Sequence, residues 1–169
     1  MRAVTLAAYI ASIVVANGMT ARFGLVPIGF GLMVTAGTFA AGFALVARDG
    51  VQMEGGRRVV LAAIFAGAIL SALTSNAALA FASGIAFLVS ELVDLGVFTP
   101  LRERSLPLAV LLSSVVSAPV DTVLFLRLAG FPVTWQAVAG QFIVKTAIAG
   151  IVAAWLTQRR RRDVSLHLA

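Results

Sequence analysis

The feature that most constrains this chain is a series of long apolar runs with almost nothing polar between them. They extend over about 3–20, 26–47, 59–74, 77–98, 107–129 and 133–156, each near the ~20 residues that carry a helix across a hydrocarbon core. Barrel strands would instead alternate apolar and polar residues over segments of about ten. The expected fold class is therefore an all-α integral membrane protein, a compact bundle of six transmembrane helices. The runs and a basic tail, 157–169, use up the 169 residues, so a single transmembrane domain is expected over 1–169.

Composition agrees. Hydrophobic residues make up 60% of the chain and charged ones 12%, outside the range of water-soluble domains. Cys is absent and the one His is His167 in the tail, so neither a thiolate nor an imidazole metal centre is expected, nor any cofactor. A net charge of +6 in a soluble protein would suggest nucleic acid. Here the arginines cluster in the connections, so they read as topology signals and no nucleic-acid partner is expected.

With a cytoplasmic N-terminus, one side receives Arg2, Arg48, Arg57, Arg58, Arg102, Arg104 and the tail arginines Arg159, Arg160, Arg161 and Arg162, ten in all. The other receives Arg22 and Arg127. Cytoplasmic loops carry the basic excess, which places both termini in the cytoplasm and the chain in the cytoplasmic (inner) membrane as a multi-pass protein. The competing reading takes residues 1–16 as a cleaved signal peptide, with Arg2 as its charged start.

Five ionisable residues interrupt the apolar runs: Glu91, Asp94, Asp121, Arg127 and Lys145. Each costs at least about 2.5–3.5 kcal/mol near a helix centre, so each marks a candidate site. Asp121 lies about 21 Å above the cytoplasmic start of the fifth run and Lys145 about 17 Å above the cytoplasmic end of the sixth. Asn17 reaches a similar depth, with Gln141 one turn from Lys145, and together they predict a polar layer near the midplane. Ser114, Ser117 and Asp121 form one inward stripe, and Ser83, Ser90 and Asp94 another, with Glu91 beside it. Glu91 and Asp94 are expected closer to the cytoplasm, partly hydrated, with Asp94 the more exposed. Two carboxylates one turn apart repel unless a proton, a cation or a substrate sits between them. Asp121 and Lys145 admit two readings, a structural ion pair or substrate ligands. Arg127 reads as a side chain snorkelling to the outer surface. The Ala3, Ala7, Ala11 ladder suits close helix packing or a partner subunit.

Several runs together resemble the vitamin-uptake-transporter-like family, whose characterised members are queuosine precursor transporters. They are Arg22-Phe-Gly-Leu-Val-Pro27, Gly29-Phe-Gly-Leu32, Thr35-Ala-Gly-Thr38 with Ala47-Arg-Asp49, the stretch from Ala86 through Ser90, Glu91, Asp94 and Phe98 to Arg102, Val120-Asp-Thr-Val-Leu-Phe-Leu126, and Gly140-Gln141 through Lys145. The acidic pair inside a membrane helix, followed by Phe98, Thr99 and Pro100, is the most specific of these. The resemblance implies a six-helix importer of a 7-deazaguanine base in its 7-cyano or 7-aminomethyl form. The family's acidic residue four positions after Asp49 is replaced here by Met53, followed by Glu54.

A guanine-like edge offers two adjacent N–H donors and a carbonyl acceptor. One carboxylate, Asp121 or Glu91, can accept both donors, with Asp94, Gln141, Lys145 and Asn17 as further candidate ligands. Phe39, Phe87 or Phe125 can stack on the ring. No Walker A pattern is present, so hydrolysis-driven uptake would need a separate energising subunit, as in energy-coupling-factor importers, whose substrate-binding subunits have a similar length. A homo-oligomer is the other expected association, and lipid the surrounding partner. An intramembrane enzyme built on Ser90 with Glu91, or on Glu91 with Asp94, is the competing class. It lacks a buried His or Cys and a nucleophile elbow, so no catalytic residue is assigned.

Overall fold

The computed structural model describes residues 2–167. Six helices form a bundle: α1 (Arg2–Phe23), α2 (Thr38–Gly55), α3 (Arg57–Thr74), α4 (Ala77–Arg102), α5 (Leu106–Leu128) and α6 (Trp135–His167). Their order follows the apolar runs, and so do most of their ends. Asn76 stops α3 from running into α4: its side chain accepts from the N–H groups of Ala78 and Leu79 at 2.8 and 3.1 Å, capping α4. At the start of α5 a proline falls in the first turn, where a missing N–H costs nothing. Side chains of the tail arginines and of Arg2 and His167, read from the sequence above, lie outside the described residues.

The second run is where expectation and structure part. Its first half is not helical. Leu25–Gly29 (β1) and Leu32–Thr35 (β2) pair antiparallel, with Gly29 opposite Leu32 and a two-residue turn at Phe30 and Gly31. Both turn residues have positive φ, 54° and 73°, as the hairpin turns that match strand twist require. The hairpin lies against α6, where Gly140 lets the backbone of Met33 approach so closely that a Cβ would strike its carbonyl. Irregular backbone is tolerated at membrane depth only against protein in this way.

Displaced by the hairpin, α2 begins at Thr38 and continues through the stretch read as a charged connection, so only Gly56 separates it from α3. The expected loop of residues 48–58 is therefore the end of one helix and the start of the next. Arg48 and Asp49 sit one-third of α2 from its end and are buried.

Around these elements the burial pattern is that of a membrane bundle. Large apolar side chains such as Phe65, Leu73, Phe81, Ile151 and Trp155 face outward, while twenty polar or charged residues are buried. Among the described residues, five helices are long and apolar enough to cross a membrane, all but α2, whose Arg48, Asp49 and Glu54 lower its hydropathy. Its 18 residues span about 27 Å, close to the ~30 Å of a hydrocarbon core. The central apolar cluster joins Tyr9 and Ile13 of α1, Ala44 and Leu45 of α2, Val60 and Ile64 of α3, and Phe87 of α4.

Candidate functional site

Asp121 and Lys145 meet. Lysine Nζ donates to Asp121 Oδ2 at 2.7 Å and to the Thr122 hydroxyl at 2.8 Å, all three side chains being buried. A lysine rising from α6 and an aspartate on α5 neutralise each other between two tightly packed helices, which lowers the burial cost of both.

The pair forms one wall of a small cavity of about 20 Å³. Asn17 and Thr20 of α1, Thr35 and Gly37 at the end of the hairpin, Ser83 and Phe87 of α4, Phe125 of α5 and Gln141 of α6 complete its lining. Each of these elements contributes because its polar residue sits among small neighbours, Ala16 and Ala41 being also in the wall. Asn17 is fixed by donating to Ser71 at 3.1 Å and to Ser83 at 2.8 Å, tying α1 to α3 and α4. Thr20 accepts from the Gly37 N–H at 3.1 Å, and Thr35 and Thr38 share a 2.9 Å hydroxyl contact. The hairpin is thereby stitched to the cavity rim.

Not all hydrogen-bonding capacity is used. Gln141 Nε2, Ser114 Oγ and Ser117 Oγ are buried without a partner, and Lys145 takes only Oδ2 of Asp121. A buried donor or acceptor left unsatisfied costs about 1–3 kcal/mol. The arrangement gathers a donor amide, an ammonium, an acceptor carboxylate and two aromatic side chains around one space, a lining that suits a small polar molecule.

The other predicted residues lie elsewhere. Glu91 and Asp94 do not line the cavity, and neither is hydrated: both are fully buried, so Asp94 is not the more exposed. The cation between them is Arg48. Its Nε lies 2.8 Å from Glu91 Oε2 and its Nη2 2.6 Å from Asp94 Oδ1, close ion pairs whose angles fall short of aligned hydrogen bonds. Asp49 Oδ1 is 3.8 Å from the same Nε. Residues three apart share a helix face, so one forked guanidinium reaches both acids of α4. Arg48 therefore leaves the list of topology charges, where nine arginines remain against two. Phe39 is 54% exposed and points away from the cavity wall, so it is not a stacking residue for that space. Ser90 donates to the Phe87 carbonyl at 3.1 Å and its neighbour Glu91 is held by Arg48, which leaves neither as a nucleophile with a base.

Sequence reasoning missed Arg48, Asp49, Thr20, Thr35 and Thr122 as members of these two polar systems, while Ser83, read as part of an inward stripe, does line the cavity. Part of the signal for Arg48 was available, since Glu91 and Asp94 demand a cation, but the Asp49-Gly50 pair beside it reads as a turn and argued for a loop.

A bundle of apolar-surfaced helices around a polar cavity is the architecture of a multi-pass membrane protein. The comparison with known families supplies the transporter class. Residues 25–158 match the family described as "Putative vitamin uptake transporter", and the chain belongs to that family. No curated protein and no solved structure matches it.

Proposed function

We propose that the chain imports a queuosine precursor, a 7-deazaguanine base, across the cytoplasmic membrane, with both termini in the cytoplasm. The observation that carries this reading is that an unpartnered Gln141 amide, the Asp121 carboxylate with Lys145, and the aromatic side chains of Phe87 and Phe125 all line one cavity. In the bound state Asp121 accepts the two N–H donors of the guanine edge. Gln141 Nε2 or Lys145 donates to the ring carbonyl, and Asn17, already oriented by Ser71 and Ser83, supports the far end. Lys145 then exchanges part of its ion pair for a ligand contact, so the pair both holds the bundle and binds. Charge-assisted bonds in a dry cavity are the strong ones, which gives a small base enough affinity without a large contact area.

The test is uptake of labelled 7-cyano-7-deazaguanine and 7-aminomethyl-7-deazaguanine into cells expressing this chain alone. Saturable uptake competed by both bases, but not by a vitamin such as riboflavin, is expected. Uptake that needs a co-expressed energising subunit would instead favour a substrate-binding subunit of an energy-coupling-factor type importer. One feature favours that second reading: Ala3, Ala7 and Ala11 form an outward-facing strip of small residues on α1, smooth enough for a partner helix.

A further inference from the structure

The Arg48 cluster holds more negative charge than its cation can balance. Three carboxylates, Asp49, Glu91 and Asp94, surround one guanidinium, and all four residues are at most 2% exposed. Glu91 and Asp94 take the two near contacts of Arg48, while Asp49 stands 3.8 Å away with neither oxygen in an aligned hydrogen bond. Arg57, exposed at the start of α3, adds a second positive charge within electrostatic reach of Glu91. With every acid ionised, three negative charges face two positive ones, and a single proton closes the account.

Two further groups point to an occupant. The Tyr9 hydroxyl, from α1, is buried and without a hydrogen-bond partner, and lies within electrostatic reach of Arg48, Asp49, Glu91 and also Asp121. Gln52 Oε1, one turn beyond Arg48 on α2, is likewise buried and unpartnered. A cleft lined by Ala3, Leu6, Val51, Glu54, Gly55 and Val59 opens to the surface, and its Glu54 lies ~7.5 Å along α2 from Asp49.

We infer that Asp49 is a proton-carrying site that couples import to the proton gradient. Protonated Asp49 leaves the cluster neutral and stable in low dielectric while the cavity is loaded from outside. Release of that proton to cytoplasmic water leaves a carboxylate that competes with Glu91 and Asp94 for Arg48. The competition rearranges the α2–α4 contact, and reprotonation of Asp49 by a proton taken from the outer side resets it. A proton moves inward and no bond other than the O–H of Asp49 is made or broken. The coupling part of this inference rests on the transport reading; the proton site does not.

The experiment is therefore in two arms. Infrared difference spectra of the purified full chain between acid and alkaline buffer are expected to show the carbonyl stretch of a protonated carboxyl that titrates, absent in Asp49→Asn. In proteoliposomes, the unmodified chain is expected to accumulate 7-cyano-7-deazaguanine above the outside concentration when the outside is acid. Asp49→Asn, a steric match for the protonated acid, is expected to exchange the base across the membrane at an unchanged rate but never to exceed equal concentrations. A titrating band that persists in Asp49→Asn, no such band in the unmodified chain, or full accumulation by the variant overturns the inference. Absence of uptake of every deazaguanine, with the band present and lost in Asp49→Asn, removes the substrate reading and leaves the proton site standing.

Discussion

The two buried charge systems differ in the way that matters most in a membrane. Asp121 and Lys145 are matched one to one, touch at 2.7 Å, and face a cavity. Arg48 is outnumbered three to one within its own cluster and faces no part of that cavity. A matched pair can be borrowed from, since a ligand with its own donors and acceptors can take over one contact at modest cost. An outnumbered cation cannot be spared, because its loss strands several carboxylates together. On the proposed reading, ligand exchange belongs to the first system and a structural or switching role to the second.

The largest expected effect breaks the second system. Arg48→Met leaves three buried carboxylates with no cation among them and should destabilise the protein by at least the ~3–5 kcal/mol of a broken buried pair. Thermal unfolding in detergent should show a lower midpoint, or the protein should fail to accumulate in the membrane. Arg48→Lys should recover only part of this, because a single ammonium cannot present the fork that reaches Glu91 and Asp94 together. A midpoint unchanged in Arg48→Met would show that the cluster is not what ties α2 to α4.

The next largest effect divides the first system. Asp121→Asn and Lys145→Met each leave an uncompensated buried charge or a broken contact, and each should abolish uptake while lowering stability by about 3 kcal/mol. Combining them removes both charges and should restore most of the stability but none of the uptake, as read by the unfolding midpoint and by transport in parallel. Uptake restored by the double variant would make the pair a brace and move the ligand site elsewhere.

How much of this was legible in the sequence depends on which residues carried the pattern. Helices whose ends are set by local chemistry were readable, as at Asn76, where a turn former and an N-cap coincide between two apolar runs. The meeting of Asp121 with Lys145 followed from counting rise along two antiparallel helices. The hairpin did not follow, because Val26 through Ala47 is apolar throughout and hydropathy does not distinguish a strand pair from a helix. Gly24, Pro27, Gly29, Gly31 and Gly37, five breakers within 14 residues, were the contrary signal, and each reduces helix stability. Once the hairpin consumes the first part of the run, the helix must extend over Arg48 and Asp49 to reach membrane length, which turns a loop arginine into a buried one. Phe39 moved with it: as the second residue of α2 its side chain falls on the outer face.

A smaller effect sharpens the cavity itself. Gln141→Leu replaces a buried unpartnered amide by an apolar side chain of similar length, so stability should hold or rise slightly. The substrate carbonyl then loses its donor, and the concentration for half-maximal uptake should rise by a factor of about 5–150, the equivalent of 1–3 kcal/mol. Maximal uptake should change little, since the alteration removes binding and leaves Asp121, Lys145 and the Arg48 cluster in place. Equal loss of binding and of stability would make Gln141 a packing residue.

The smallest expected effect comes from Phe39, compared with Phe87 and Phe125. All three are aromatic and were equal candidates for stacking, but Phe87 and Phe125 are buried in the cavity wall while Phe39 faces outward. Truncating either wall residue to Ala removes a stacking surface and enlarges the cleft, and core Phe→Ala changes cost about 3–5 kcal/mol, so both uptake and stability should fall. Phe39→Ala exposes little that was packed, and an outward change of this kind stays within about 0.5 kcal/mol. Uptake kinetics of Phe39→Ala should therefore overlay those of the unmodified chain, with the two wall variants as controls. A rise in the half-saturating concentration for Phe39→Ala, at unchanged stability, would mean that α2 turns its outer face toward the ligand during transport, and the cavity described here would be one of two that the substrate visits.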